Sequence, residues 1–209
     1  MRVQFVLPPF DLSASYGSTT KMKRGFLPSL GVGHIAAMIE ERGHETNLLD
    51  AQVMDLDAVR TVDKILEYGP DVVGLSVMNA YAHSGYAVAS ELKARAPHVF
   101  IVMGGPHATA NYKVIHEECP AVDAVVPGEG EVPFAQIVDK LSAKEDWRSV
   151  KGISYRMADG KSMLNGHAET ISNLDLLPHP ARHLYDSYPY RPLPNQVRQE
   201  PSTTSITSR

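Results

Sequence analysis

Residues 71–77 read Asp71-Val72-Val73-Gly74-Leu75-Ser76-Val77. This short run is apolar with almost no polar alternation, so it predicts a strand buried on both faces. Strands of that kind belong to parallel sheets covered by helices on each side. The flanks agree. Residues 56–68 place Val59, Val62, Ile65 and Leu66 on one helical face, and Gly69-Pro70 stops that helix. A second helix is predicted over residues 82–96.

The alternation continues in both directions. Toward the C-terminus, a strand over 99–103 ends in Gly104-Gly105-Pro106, and a helix is predicted over 109–118. A strand at 124–126 is followed by Pro127-Gly128-Glu129-Gly130 and a helix over 131–141. Toward the N-terminus, residues 2–7 form a strand ended by Pro8-Pro9. A long loop over 10–30 leads to a helix with Val32, Ile35, Ala36 and Ile39 at helical spacing, stopped by Gly43. Residues 45–50 are the remaining strand. Five strand–helix units in succession predict an α/β fold. It is a Rossmann-like or flavodoxin-like doubly wound five-stranded parallel sheet, with strand order 2-1-3-4-5.

The pattern changes after residue 145. Residues 152–157 and 162–165 flank Asp159-Gly160, a hairpin signal. Beyond Leu176 come Pro178, Pro180, Tyr185, Tyr188, Pro189, Tyr190, Pro192 and Pro194, which read as an irregular linker laid over a surface. The organisation expected is therefore a first domain over 1–145, a hairpin and connector over 146–198, and a polar, flexible end over 199–209.

Composition narrows the function. The chain has 209 residues, 43% of them hydrophobic, and a net charge of −4 without a Lys/Arg-rich run. Nucleic-acid binding is disfavoured, because phosphate neutralisation needs clustered cations. No apolar run approaches the roughly 20 residues of a membrane span, and the N-terminus reads as a strand, so a cytoplasmic protein is expected. The one cysteine, Cys119, rules out an internal disulfide and any multi-cysteine metal site within these residues. It reads as a small, half-buried residue.

Ligands of open parallel sheets bind beyond the carboxyl ends of the strands. The candidate binding residues there are Pro9, Ser76, Val77, Met78, Asn79, Tyr81, Gly104, Gly105, Pro106, His107, Gly128, Glu129 and Gly130. Gly104-Gly105 removes two side chains where a flat or bulky ligand would meet backbone. Gly128-Glu129-Gly130 repeats this beside a helix N-terminus. A tight turn alone also explains each pair. Their occurrence after successive strands favours a ligand. Tyr81 and Asn79 either face that ligand or cover the surface. His107 either touches it or caps a turn, and His34 reads as packing. Glu129 and Glu131 suit a helix N-terminus electrostatically, so no residue is assigned as catalytic and none as a metal ligand. Dinucleotide and P-loop fingerprints are absent. A flavin mononucleotide site would need a phosphate loop after the first strand, where Ser13, Ser15, Ser18, Thr19 and Thr20 are spread out.

These stretches resemble a known family. Ser76-Val77-Met78 and Gly104-Gly105 are similar to the S-x-L and G-G elements of cobalamin-binding domains. Closer still is the likeness to the N-terminal domain of cobalamin-dependent radical S-adenosylmethionine proteins. It is carried by Leu27-Pro28-Ser29-Leu30-Gly31, Glu40-Glu41-Arg42-Gly43-His44-Glu45, Asp71 to Ser76, Gly104-Gly105-Pro106-His107-Ala108-Thr109 and Pro127-Gly128-Glu129-Gly130-Glu131. Asn173-Leu174-Asp175-Leu176-Leu177-Pro178 with Pro180-Ala181-Arg182 looks like the family's connector.

The resemblance implies several things. Cobalamin would be the cofactor, with Ser76 bonding its dimethylbenzimidazole tail and the glycines making room for that tail. A radical domain carrying S-adenosylmethionine and a [4Fe-4S] cluster would follow Arg209, outside this chain. That domain would be the partner, for methyl transfer, cyclisation or a related reaction on a small-molecule or peptide substrate. The family's D-x-H-x-x-G motif is absent here, since no histidine lies between Pro8 and Gly33. The expected state is therefore base-off cobalamin without a protein histidine on cobalt. Rival readings are a flavodoxin-like domain for flavin mononucleotide or another nucleotide, and a cofactor-free docking domain.

Overall fold

A computed structural model describes residues 1–10, 26–168, 171–191 and 204–205. Asp11, Ser13, Ser15, Ser18, Thr19, Thr20 and most of the C-terminal segment lie outside these.

Five parallel strands form the centre: β1 (Arg2–Leu7), β2 (Glu45–Asp50), β3 (Val72–Ser76), β4 (Phe100–Gly104) and β5 (Ala124–Val125). They lie in the expected order, β2-β1-β3-β4-β5. β3 is buried from Val72 to Leu75, as its unbroken apolar run requires. Its last residue, Ser76, is paired with Gly104 at the end of β4, so two candidate residues stand side by side at the carboxyl edge.

The helices are α1 (Leu30–Glu41), α2 (Ala58–Tyr68), α3 (Ala82–Arg95), α4 (Pro106–Asn111), α5 (Ile115–Glu118) and α6 (Glu131–Ser142). Those with apolar faces cover both sides of the sheet. One core joins α2 to α5 on one side, and the other joins α1 and α6 on the other. Asp57 caps α2 by accepting from the Arg60 amide, and Gly69 ends it at φ 66°.

Two features differ from the sequence expectation. The hairpin β6 (Ser154–Arg156) and β7 (Ser162–Leu164) does not stand apart. β6 pairs antiparallel with β5, giving a seven-stranded sheet. Burial explains this, since Ile153 and Ser154 are inaccessible and Trp147 packs edge-on against Phe100 and Tyr155.

The helix expected over 109–118 begins at Pro106 and breaks after Asn111. The Asn111 side-chain amide folds back to donate to the His107 carbonyl (3.1 Å), a side-chain bond to backbone four residues earlier that competes with regular helix pairing.

The connector is fastened to α1. Tyr185 is buried, and Ala181 donates its backbone N–H to Gly33.

Candidate functional site

A cavity of about 430 Å³ opens at the carboxyl edge, between the sheet and the pair α1 and α6. Seven of the predicted residues line it: Ser76, Gly104, Gly105, Pro106, Gly128, Glu129 and Gly130. Apart from Ser29 and Glu131, the rest of the wall is apolar. α1 contributes Val32 and Ile35, the strands contribute Phe5, Val102 and Val126, and α6 contributes Phe134. Gly74 builds the floor. A Cβ there would meet the Phe134 ring at 2.8 Å and Phe5 at 3.0 Å, so its absence lets the two rings approach to 5.2 Å.

The glycines at the mouth have different causes. Gly105 has φ 92°, and a Cβ on it would strike the Val77 carbonyl oxygen at 2.8 Å. Backbone geometry alone requires it. Gly128 has φ 79°, again a turn requirement. A Cβ on Gly130 would touch Ile35 at 2.9 Å. Gly104 is the exception: its φ is ordinary, and the nearest atom to a Cβ would be the Val126 carbonyl oxygen at 3.8 Å. Nothing in the fold demands a glycine there. A side chain would project into the cavity, so the missing Cβ fits a body that must lie against this strand end.

Ser76 lines the same cavity, and beyond the strand pairing of its backbone its hydroxyl makes no hydrogen bond to any described residue. Its hydroxyl is free to bond a ligand. Thr109 joins the two glycine loops, donating its hydroxyl to the Gly105 carbonyl (3.1 Å) and accepting from the Gly128 amide (2.9 Å). Glu131 is buried at the first turn of α6.

The remaining predicted residues sit elsewhere on the edge. Val77 is buried under Gly105 and accepts from the His107 backbone amide. Met78 is half exposed, and Asn79–Tyr81 form a 3-10 turn. Tyr81 packs against Phe10, with ring centroids 5.6 Å apart. Pro9 lines a smaller cavity of about 320 Å³ beside Leu56 and Arg60.

His107 is nearly buried and held by protein partners. Tyr86 donates to Glu118 (2.8 Å) and meets His107 Nε2 at 2.8 Å, while Asn79 Oδ1 lies 2.9 Å from Nδ1. Burial lowers the His107 pKa, so the ring is neutral at pH 7. His34 bonds the Pro178 carbonyl through Nδ1. No histidine lines the cavity.

Among the described residues, no cluster of His, Cys, Asp and Glu has the arrangement of a metal site. No helix there is long and apolar enough to cross a membrane.

Comparison with known proteins gives concordant results. The family described as "B12 binding domain" matches residues 23–138. An uncharacterized methyltransferase of Pyrococcus horikoshii is 34% identical over 191 residues, covering 90% of this chain and 39% of that protein. The anaerobic magnesium-protoporphyrin IX monomethyl ester cyclase of Rubrivivax gelatinosus is 29% identical over 220 residues, covering the whole chain and again 39% of the relative. The chain thus spans about two fifths of the length of these relatives. Among solved structures, the cobalamin-dependent S-adenosylmethionine radical enzyme OxsB, with aqua-cobalamin and S-adenosylmethionine bound, superposes with a TM-score of 0.70 at 19% identity. That match covers 86% of this chain and 24% of OxsB.

Proposed function

Because this chain belongs to the B12-binding domain family, we propose that its cavity holds the tail of cobalamin and presents the corrin ring at the carboxyl edge of the sheet. The observation that carries this reading is Gly104, whose missing side chain the fold does not require and whose Cβ would fill the cradle. Ser76 supplies a hydrogen-bonding hydroxyl at the same strand end. Val32, Ile35, Val102, Val126 and Phe134 exclude water from a flat apolar group. Gly128 and Gly130 keep the mouth beside α6 open.

Cobalamin, when bound, supplies cobalt-centred transfer and redox chemistry that no side chain provides. The protein's own part is to bind and orient it. No histidine lines the cavity, and His34 and His107 are engaged by protein groups. This supports a bound state that would be base-off, without a histidine ligand.

The similarity to a methyltransferase and a cyclase, together with the OxsB-like fold, supports a partner domain of the radical S-adenosylmethionine type. That domain would carry a [4Fe-4S] cluster, as the resemblance implies, and methyl transfer or a related radical reaction would be the outcome.

Titration with hydroxocobalamin tests the reading. The wild type should bind with a base-off spectrum, and the electron paramagnetic resonance of the reduced cofactor should lack histidine nitrogen splitting. Gly104→Val should fold and lose binding. Undiminished binding by that variant, or a histidine nitrogen on cobalt, would overturn it.

A further inference from the structure

The segment from Pro178 to Arg191 is fastened to the helix that walls the cavity. Ala181 donates its N–H to the Gly33 carbonyl at 2.9 Å, and the Tyr185 hydroxyl donates to the Ser29 carbonyl at 2.6 Å. His183 meets Glu40 at 3.1 Å, and Pro178 accepts from His34. At its far end Tyr188 donates to the Leu48 carbonyl and Tyr190 to Asp50, both at 2.7 Å.

Packing is as close as the bonding. A Cβ on Gly33 would lie 3.0 Å from both Pro180 Cβ and the Tyr185 hydroxyl oxygen. Gly33 is buried inside α1, where glycine weakens a helix relative to alanine. Its presence is explained by the strap that crosses it. α1 therefore offers two adjoining faces. Val32 and Ile35 face the cavity, and Gly33 faces the strap. Ser29 belongs to both, since it lines the cavity while its carbonyl receives Tyr185.

We propose that residues 178–191 act as a positioning strap whose docking is energetically linked to occupancy of the cavity through α1, with Tyr185 and Gly33 as the coupling residues. The proposal rests on the cobalamin reading above. A ligand seated against Val32 and Ile35 holds α1 in the place that the strap recognises. A docked strap in turn holds α1 where the ligand needs it. Linkage is reciprocal, so each event strengthens the other by the same factor.

The test reads both directions on the whole chain with hydroxocobalamin as probe. Amide hydrogen exchange of the peptide spanning 181–190 is followed by mass spectrometry with and without saturating cofactor. In the wild type the cofactor should slow this exchange by about tenfold. Gly33→Ala should speed it by a similar factor and raise the Kd for hydroxocobalamin about tenfold. Tyr185→Phe keeps the ring and removes one hydrogen bond, so both effects should be smaller, about threefold. If Gly33→Ala fails the circular dichroism check, Tyr185→Phe carries the comparison.

The proposal is overturned if the wild type binds cofactor and exchange in the strap does not change. It is equally overturned if a variant frees the strap and the Kd stays constant. If the wild type binds no hydroxocobalamin, the cobalamin reading itself fails and the linkage falls with it. That result is distinct from binding without protection.

Discussion

Tyr190 donates its phenolic hydrogen to Asp50 Oδ2 across 2.7 Å, and Asp50 is a carboxylate only 2% exposed with no cation beside it among the described residues. The amides of Gln52 and Val53 complete its shell. Burial is the largest influence and raises the Asp50 pKa above the ordinary value of 3.8, while these hydrogen bonds pull it part of the way back. A raised folded-state pKa stabilises the fold fully below the ordinary value, and that contribution is lost as pH climbs through the raised one. Asp50→Asn keeps an acceptor and removes the ionisation. Its stability should match the wild type near pH 4 and exceed it at pH 7, as read from urea midpoints. Tyr190→Phe takes away a donor and should cost about 1–3 kcal/mol at pH 7. A less stable Asn variant at neutral pH would mean that the ionised form is favoured by contacts other than these.

The adjacent glycines at the end of β4 should respond oppositely to alanine. Gly105→Ala forces a side chain onto φ 92° and against Val77 at 2.8 Å, which should cost about 2 kcal/mol or more. Gly104→Ala meets nothing closer than 3.8 Å and should change stability by less than about 1 kcal/mol. Its effect should fall on hydroxocobalamin binding. Thermal denaturation separates the two variants, and equal losses would remove the distinction between a turn glycine and a cavity glycine.

Sequence alone singled out these glycines, but not what separates one from the other. Gly104 and Gly105 look alike as letters, and only the distance from a would-be Cβ to Val126 or Val77 separates them. The central strands were legible because a run such as 71–77 has no polar alternation to hide it. Val32 and Ile35 were legible as an apolar helical stripe but not as cavity wall, since both uses share one apolar periodicity. The connector was read as a linker laid over a surface, without the partners of its tyrosines. Tyr185 and Tyr188 bury their rings by bonding the carbonyls of Ser29 and Leu48, 156 and 140 residues away. Partners that remote leave no local pattern. The hairpin was foreseen as a hairpin, but its pairing with β5 depends on Ile153 and Ser154 being covered, again a tertiary matter.

Cys119 should be chemically silent in the native protein. It is 1% exposed, and burial raises its thiol pKa, with a weak contact to Ser90 opposing the shift. Thiolate is the reactive form, so both access and ionisation are denied. An aromatic disulfide reagent at pH 8 should release no colour from the folded chain and one equivalent after denaturation. Rapid native labelling would mean that the α3–α5 contact around this residue opens readily.

Mild acid should weaken the fold through two histidines. His116 is wholly buried, and neither ring nitrogen has a hydrogen-bond partner, although the backbones of Val122 and Ser154 lie alongside. Burial lowers its pKa, and it also lowers that of His107. A lowered folded-state pKa gives stability that is present above the ordinary value of 6.5 and lost as pH falls through the folded value. The wild type should therefore lose stability below about pH 6.5, through the need to protonate rings that the interior holds neutral. Arg156 pushes the His116 pKa further down, while Asp123 opposes it, so neither reverses the sign. His116→Leu conserves bulk and removes an unsatisfied polar ring, which should stabilise by about 1–3 kcal/mol. The gain should be larger at pH 5 than at pH 8, because the variant has no proton to take up at that site. Denaturation midpoints at the two pH values decide the matter. A gain that is the same at both would show that His116 costs stability only as an unpaired polar group and not as a titrating one.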